Sequence, residues 1–263
     1  MCLIAFAWKA HARYRLVVAA NRDELHARPT APAAFWADAP QVYAGRDLQD
    51  GGTWMGITGS GRFAALTNFR DPNEFKAGAP SRGNLVSNFL REETLPHDYA
   101  QSLGAIQYLY NGFNLLVSDS DALWYVGNRS GAPRAVEQGI HGLSNALLDT
   151  PWPKATGLKA DLTAALAAHP ADQADTSLLI ATLLDALADQ APTPDAQLPE
   201  TGVGLERERQ LAPRMIVNPR YGTRSATVLL MDHAGNIEMA ERSFVPGGTA
   251  SGEVRQLIPS SAL

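Results

Sequence analysis

Cysteine is almost missing from this chain: one occurs in 263 residues, at position 2. A single thiol excludes an internal disulfide and a multi-cysteine metal site, and it fits a reducing compartment, so a cytoplasmic location is expected. Long apolar runs are missing too. None approaches the ~20 residues a membrane helix needs, so no membrane span is expected. Residues 2–8 have the length of a short signal core, but no basic segment precedes them and Lys9, Arg13 and Arg15 follow closely. Positive charge is in deficit, with 22 Lys and Arg against 27 Asp and Glu for a net charge of −5. The pI near 5.7 leaves no basic footprint, and no nucleic-acid partner is expected. The histidines His11, His26, His97, His141, His169 and His233 include no close ligand pair, so no metal or other resident cofactor is expected. A G-x-S-x-G elbow is absent, which argues against a serine hydrolase. The glycines around Gly59-Ser60-Gly61 match a turn and no phosphate-binding or dinucleotide motif.

What is present is concentrated at the N-terminus. Cys2 is small, so methionine aminopeptidase is expected to remove Met1 and place a thiol and a free α-amine on one residue. The amine has an ordinary pKa of about 8 and the thiol about 8.5, which makes the amine a built-in base near neutral pH. Residues 3–8 are apolar without a break, and Tyr14–Ala20 is rich in strand formers. Lys9–Arg13 between them suits a five-residue hairpin loop. A turn centred near His11 brings Cys2 opposite Asn21–Asp23. Asn21 and Asp23 then share one face and Arg22 and Glu24 the other. A one-residue slip would exchange the pairs, and the sequence leaves that register open. Arg22 and Asp23 can both reach Cys2 only where the strand ends or bulges.

Further along, Arg28–Pro32 reads as a loop. Residues 51–58 and 62–68 read as a second hairpin about Gly59–Gly61. Helical patterns cover Asn84–Glu93 and Asp98–Tyr110. Strands follow at 113–118 and 123–126, with a strand-like region ending at Ile140–Asn145. Helices with N-terminal caps are expected over Pro153–His169 and Thr176–Ala191, then a Pro-rich loop to Gly204. Two strands close the pattern, Thr223–Met231 and Ile237–Phe244. Hairpins dominate and strand–helix alternation is missing from the first 70 residues. That pattern favours an α+β fold of two packed antiparallel sheets with helices outside, over a doubly wound parallel sheet.

The start Met1-Cys2-Leu3-Ile4, the block Asn21-Arg22-Asp23-Glu24 and the segment Leu143–Pro153 resemble the NRDE family, also called the transport and Golgi organisation protein 2 family. The likeness runs over nearly the whole chain. More distantly, Cys2 with an early Arg/Asp pair is similar to the N-terminal-nucleophile hydrolases of the choloylglycine hydrolase and penicillin V acylase type. That resemblance implies one domain over residues 1–263, folded as a four-layer αββα sandwich. It also implies a catalytic set of Cys2, Arg22, Asp23, Asn68, Asn145 and Arg224. In that set Asn145 and Asn68 are oxyanion donors and Arg224 lies beside the nucleophile. The relatives separate their Arg and Asp by two residues, whereas Arg22 and Asp23 are adjacent.

Two functions follow as expectations. The first is a hydrolase that cleaves a linear, non-peptide amide of a small-molecule substrate through an acyl-thioester. The second is a non-catalytic carrier of haem or of acyl-CoA and lipid. Each of Cys2, Asn68, Asn145 and Arg224 also has a plain structural use, as a packed thiol, turn residues or a strand-end ion. Oligomeric state has no signature in the sequence.

Overall fold

The computed structural model describes residues 2–260. Strand β1 (Cys2–Trp8) and β2 (Tyr14–Leu25) form the expected hairpin. Their register pairs Cys2 with Arg22, Leu3 with Asn21 and Trp8 with Leu16. These strands lie inside a six-stranded antiparallel sheet completed by β10 (Gly139–Leu143), β11 (Tyr221–Asp232), β12 (Ile237–Phe244) and β13 (Ala250–Ile258), in the order β10-β1-β2-β11-β12-β13. The second sheet runs in simple chain order from β3 (Thr30–Trp36) and β4 (Ala39–Asp47) to β5 (Met55–Thr58) and β6 (Phe63–Asn68). It continues through β7 (Phe113–Ser118) and β8 (Leu123–Gly127) to the short β9 (Arg134–Ala135).

The unbroken apolar run of β1 is explained by burial on both faces. Ile4, Phe6 and Trp8 enter the core between the sheets with Leu16, Val18 and Phe63. The alternate residues Leu3, Ala5 and Ala7 pack under α3 (Pro153–Ala167) and α4 (Ser177–Leu187), against Leu158, Leu162 and Leu183. On the outer side of the second sheet, α1 (Gly83–Arg91) and α2 (Pro96–Ser102) cover Leu66, Leu115 and Val117. The layers are therefore helix, sheet, sheet, helix. At about 25 cal/mol per Å² of apolar surface, three stacked cores supply the main stabilising force.

Several expectations were wrong in detail. Residues 30–32, expected in a loop, instead open strand β3: it is an edge strand, where Pro32 can lack an amide donor, and the pairing shifts between Ala31 and Ala34. The helix expected over 98–110 stops at Ser102 and gives way to 3₁₀ turns at 103–105 and 107–109. The expected side-chain caps do not form. Helix α3 starts with Pro153 in its first turn, and the Thr176 hydroxyl donates instead to Glu238 Oε2 at 2.6 Å. Strands β4 and β13 and helix α5 (Leu205–Leu211) lacked clear sequence periodicity. No helix among the described residues is long and apolar enough to cross a membrane.

Candidate active site

Register decides which side chains meet Cys2. Directly paired residues point to the same face, and Cys2 pairs with Arg22, which pairs in turn with Ser225. Cys2 and Arg22 therefore stand side by side on the face between the sheets. Asn21 and Asp23 occupy the opposite, helix-covered face. The Asn21 amide donates to the carbonyls of Leu187 at 2.8 Å and Arg214 at 2.9 Å, tying β2 to the end of α4.

Asp23 still reaches the thiol, because its main-chain amide donates a hydrogen bond to the sulfur. Its carboxylate accepts from Thr223 Oγ1 at 2.7 Å. Burial pushes the Asp23 pKa up, and the nearby Lys154 ammonium opposes that shift. Burial likewise pushes the Cys2 thiol up, with the Asp23 charge adding to the effect and Arg22 opposing it. The required irregularity exists, though on the neighbouring strand. Thr223 pairs with Asp23 and Ser225 with Arg22, so Arg224 is the extra residue of a bulge opposite the Arg22–Asp23 peptide.

Arg22 is held by a fixed support. Its guanidinium lies 4.3 Å from the centre of the Trp54 ring and donates to Thr30 Oγ1 at 3.2 Å. Trp54 itself lies over Gly45, where an added Cβ would come within 2.2 Å of the indole. Glycine is required there because the ring occupies the space a side chain would fill.

Cys2, Arg22, Asp23 and Asn68 all line one cavity of about 410 Å³, with Trp54 and Arg82 among its walls. Asn68 ends β6. Its carbonyl accepts from the Asn145 side-chain amide at 2.9 Å. Asn145 is buried, its backbone carbonyl accepts from the Arg70 amide at 2.7 Å, and it does not line the cavity. Arg224 turns away as well. One of its nitrogens donates to the carbonyls of Leu25 (3.0 Å), His26 (3.3 Å) and Arg28 (3.0 Å), and its side chain lines an adjoining cavity of about 320 Å³. Four of the six expected residues thus share the cavity with one another, while Asn145 and Arg224 brace its surroundings.

Sequence reasoning missed Arg82, Trp54 and Lys154. Arg82 precedes α1 and donates to the Gly112 carbonyl at 2.9 Å. The available signal was a pair of glycines: a Cβ on Gly52 would lie 2.6 Å from the Gly83 backbone, so this close approach carries the start of α1 to the cavity. Lys154 is buried in the first turn of α3, with its ammonium donating to the Leu211 carbonyl at 2.9 Å. Burial pushes its pKa down to about 8, opposed by Asp23. Among the described residues no group of three or more His, Cys, Asp or Glu side chains could hold a metal ion.

These features define an αββα sandwich with a residue-2 cysteine opening on a charged cavity. The family described as Transport and Golgi organisation 2 matches residues 1–246, and the chain belongs to that family. It is 35% identical to the Homo sapiens "Transport and Golgi organization protein 2 homolog", with 97% of each chain covered. It is 29% identical to the Drosophila melanogaster "Transport and Golgi organization protein 2", over 93% of this chain and 92% of that one. Among solved structures it is similar to a Caenorhabditis elegans N-acylethanolamine-hydrolyzing acid amidase ortholog. That match has 11% identity and a TM-score of 0.47, covering 87% of this chain and 92% of the other.

Proposed function

We propose that this protein is an N-terminal cysteine hydrolase that cleaves the carbon–nitrogen bond of a linear amide, working in the cytoplasm as one domain. Removal of Met1 frees the Cys2 amine, which takes the sulfur's proton, and the thiolate attacks the amide carbonyl. The Asn68 side chain, which lines the same cavity, donates to the developing oxyanion. Collapse expels the amine, which receives the proton held by the α-ammonium, and leaves an acyl-thioester. Water then attacks the thioester, giving the carboxylic acid and restoring the thiol. Asp23 orients the amine, and Arg22 favours the thiolate.

The observation carrying this reading is the double approach to the sulfur, with the Arg22 guanidinium on its own face and the Asp23 amide bonded to it. A panel of acyl amides tests it. Turnover by the processed protein should vanish in Cys2→Ala, and turnover that survives the substitution sinks the idea.

The alternative is a non-catalytic carrier of haem or acyl-CoA and lipid, and it draws support from burial that keeps the sulfur a thiol. The charged cavity lining suits the phosphates of acyl-CoA better than an apolar porphyrin, and none of the histidines lines it. Saturable, stoichiometric binding without turnover is its signature.

A further inference from the structure

The charges lining the Cys2 cavity are not all neutralised within it. Asp47 and Asp50 are both occupied by Arg28, at 2.5 Å each. The Lys76 ammonium donates to the Tyr108 carbonyl at 2.5 Å, Glu24 accepts from the Leu25 amide at 2.8 Å, and the Asp23 carboxylate is held by Thr223. Two cations remain. Arg22 donates to the Thr30 hydroxyl and Arg82 to the Gly112 carbonyl, both neutral acceptors. Among the described residues neither guanidinium forms an ion pair within 4.0 Å, although Arg22 is buried and Arg82 half-buried.

Arginine does not deprotonate to escape desolvation, and each fork has donors beyond the one used. Holding such a charge away from water with no direct ion pair is costly; Arg22 feels the buried Glu241 only through its field, and a bound anion lowers that cost. Burial pushes the Arg82 pKa down, while Glu24 and Cys2 act on it only through their fields.

We propose that the Cys2 cavity binds a carboxylate between Arg22 and Arg82, so that the substrate is an acyl amide bearing a carboxylate. The substrate class rests on the hydrolase function proposed above, whereas the anion site rests on the cavity alone. Arg82 is then a specificity residue that binds the substrate's carboxylate rather than the scissile carbonyl.

Cys2 is the chain's single cysteine, so alkylation reports on it cleanly. The measurement is the rate ratio of iodoacetate to iodoacetamide, normalised to glutathione. A ratio is needed because Arg82 also affects the thiolate fraction, which cancels between the two reagents. The wild type should exceed the glutathione ratio by about threefold to tenfold, an excess that shrinks with added salt. Arg82→Gln should lose the excess and Arg82→Lys should keep most of it.

A wild-type ratio no higher than that of glutathione overturns the proposal, as does an Arg82→Gln ratio equal to wild type. So does a sulfur that neither reagent modifies. Should Arg82→Gln not fold, protection of wild-type Cys2 from iodoacetamide decides. N-acetylglycine should protect at lower concentration than its neutral amide, and equal protection is contrary. A persistent ratio in a protein without turnover would remove the hydrolase function and leave the anion site standing.

Discussion

Asn21 and Asp23 are alike in size and share a face, yet their roles differ. Asn21 spends its amide on two carbonyls of the helix layer. Asn21→Ala leaves those carbonyls short of a donor and should cost about 1–3 kcal/mol of stability, read by denaturant unfolding. Asp23→Asn should act on chemistry instead, lowering kcat by roughly 100-fold or more, because the group proposed to orient the Cys2 amine loses its negative charge. A fall in stability alone would place Asp23 with Asn21. The Arg22 support gives a third outcome. Gly45→Ala would drive a methyl into Trp54, and overpacking of this kind costs about 1–3 kcal/mol. The pairing of Cys2 with the Asn21–Asp23 region was legible in the sequence, because hairpin length and apolar run fix it within one residue. That Arg22, not Asp23, shares the sulfur's face was not legible, since one residue of register exchanges them. Asn145 and Arg224 carried the right residue types, but the carbonyls they satisfy come from segments distant in the chain.

At the scale of elements, the site is braced by a buried ion pair that ties a loop to the sheets. Arg70, just after β6, meets Glu208 of α5 at 2.5 Å with both side chains only 4% exposed. Glu208 also accepts from the Thr201 amide at 3.0 Å and from its hydroxyl, anchoring the Pro-rich stretch before α5. Glu208→Gln removes one partner of a buried pair and should cost about 3–5 kcal/mol. Protease cleavage near residue 201 should rise with it, and an unchanged unfolding midpoint would show that the pair does not brace the fold. This loop was legible from its prolines, but its anchor was not, because Arg70 and Glu208 are far apart in sequence. The same limit hid β3 and β13. Edge strands are half-exposed, so their alternation is weak, and Pro32 is tolerated because, among the described residues, no strand pairs on its outer side.

At the scale of the molecule, both sheets and most helices were legible because three cores impose period-two and helical patterns. The charges buried among these layers make stability depend on pH. Lys154 has a folded pKa of about 8, below its ordinary 10.5, so the unfolded chain binds the proton more tightly between those values. Its contribution to stability therefore rises as pH increases through that window. Lys154→Met should gain most over wild type near neutral pH, and the gap should narrow toward pH 10 in denaturant titrations. A gap independent of pH would contradict the assignment.

The central claim, a sulfur nucleophile at the mature N-terminus, is tested most directly by the intact mass of native protein quenched in acid during reaction with an acyl amide. The account predicts a chain lacking Met1 and heavier by one acyl group, with the addition mapped to Cys2 and lost in Cys2→Ala. Native protein that retains Met1, or that turns over the amide without ever carrying the acyl group, would contradict it.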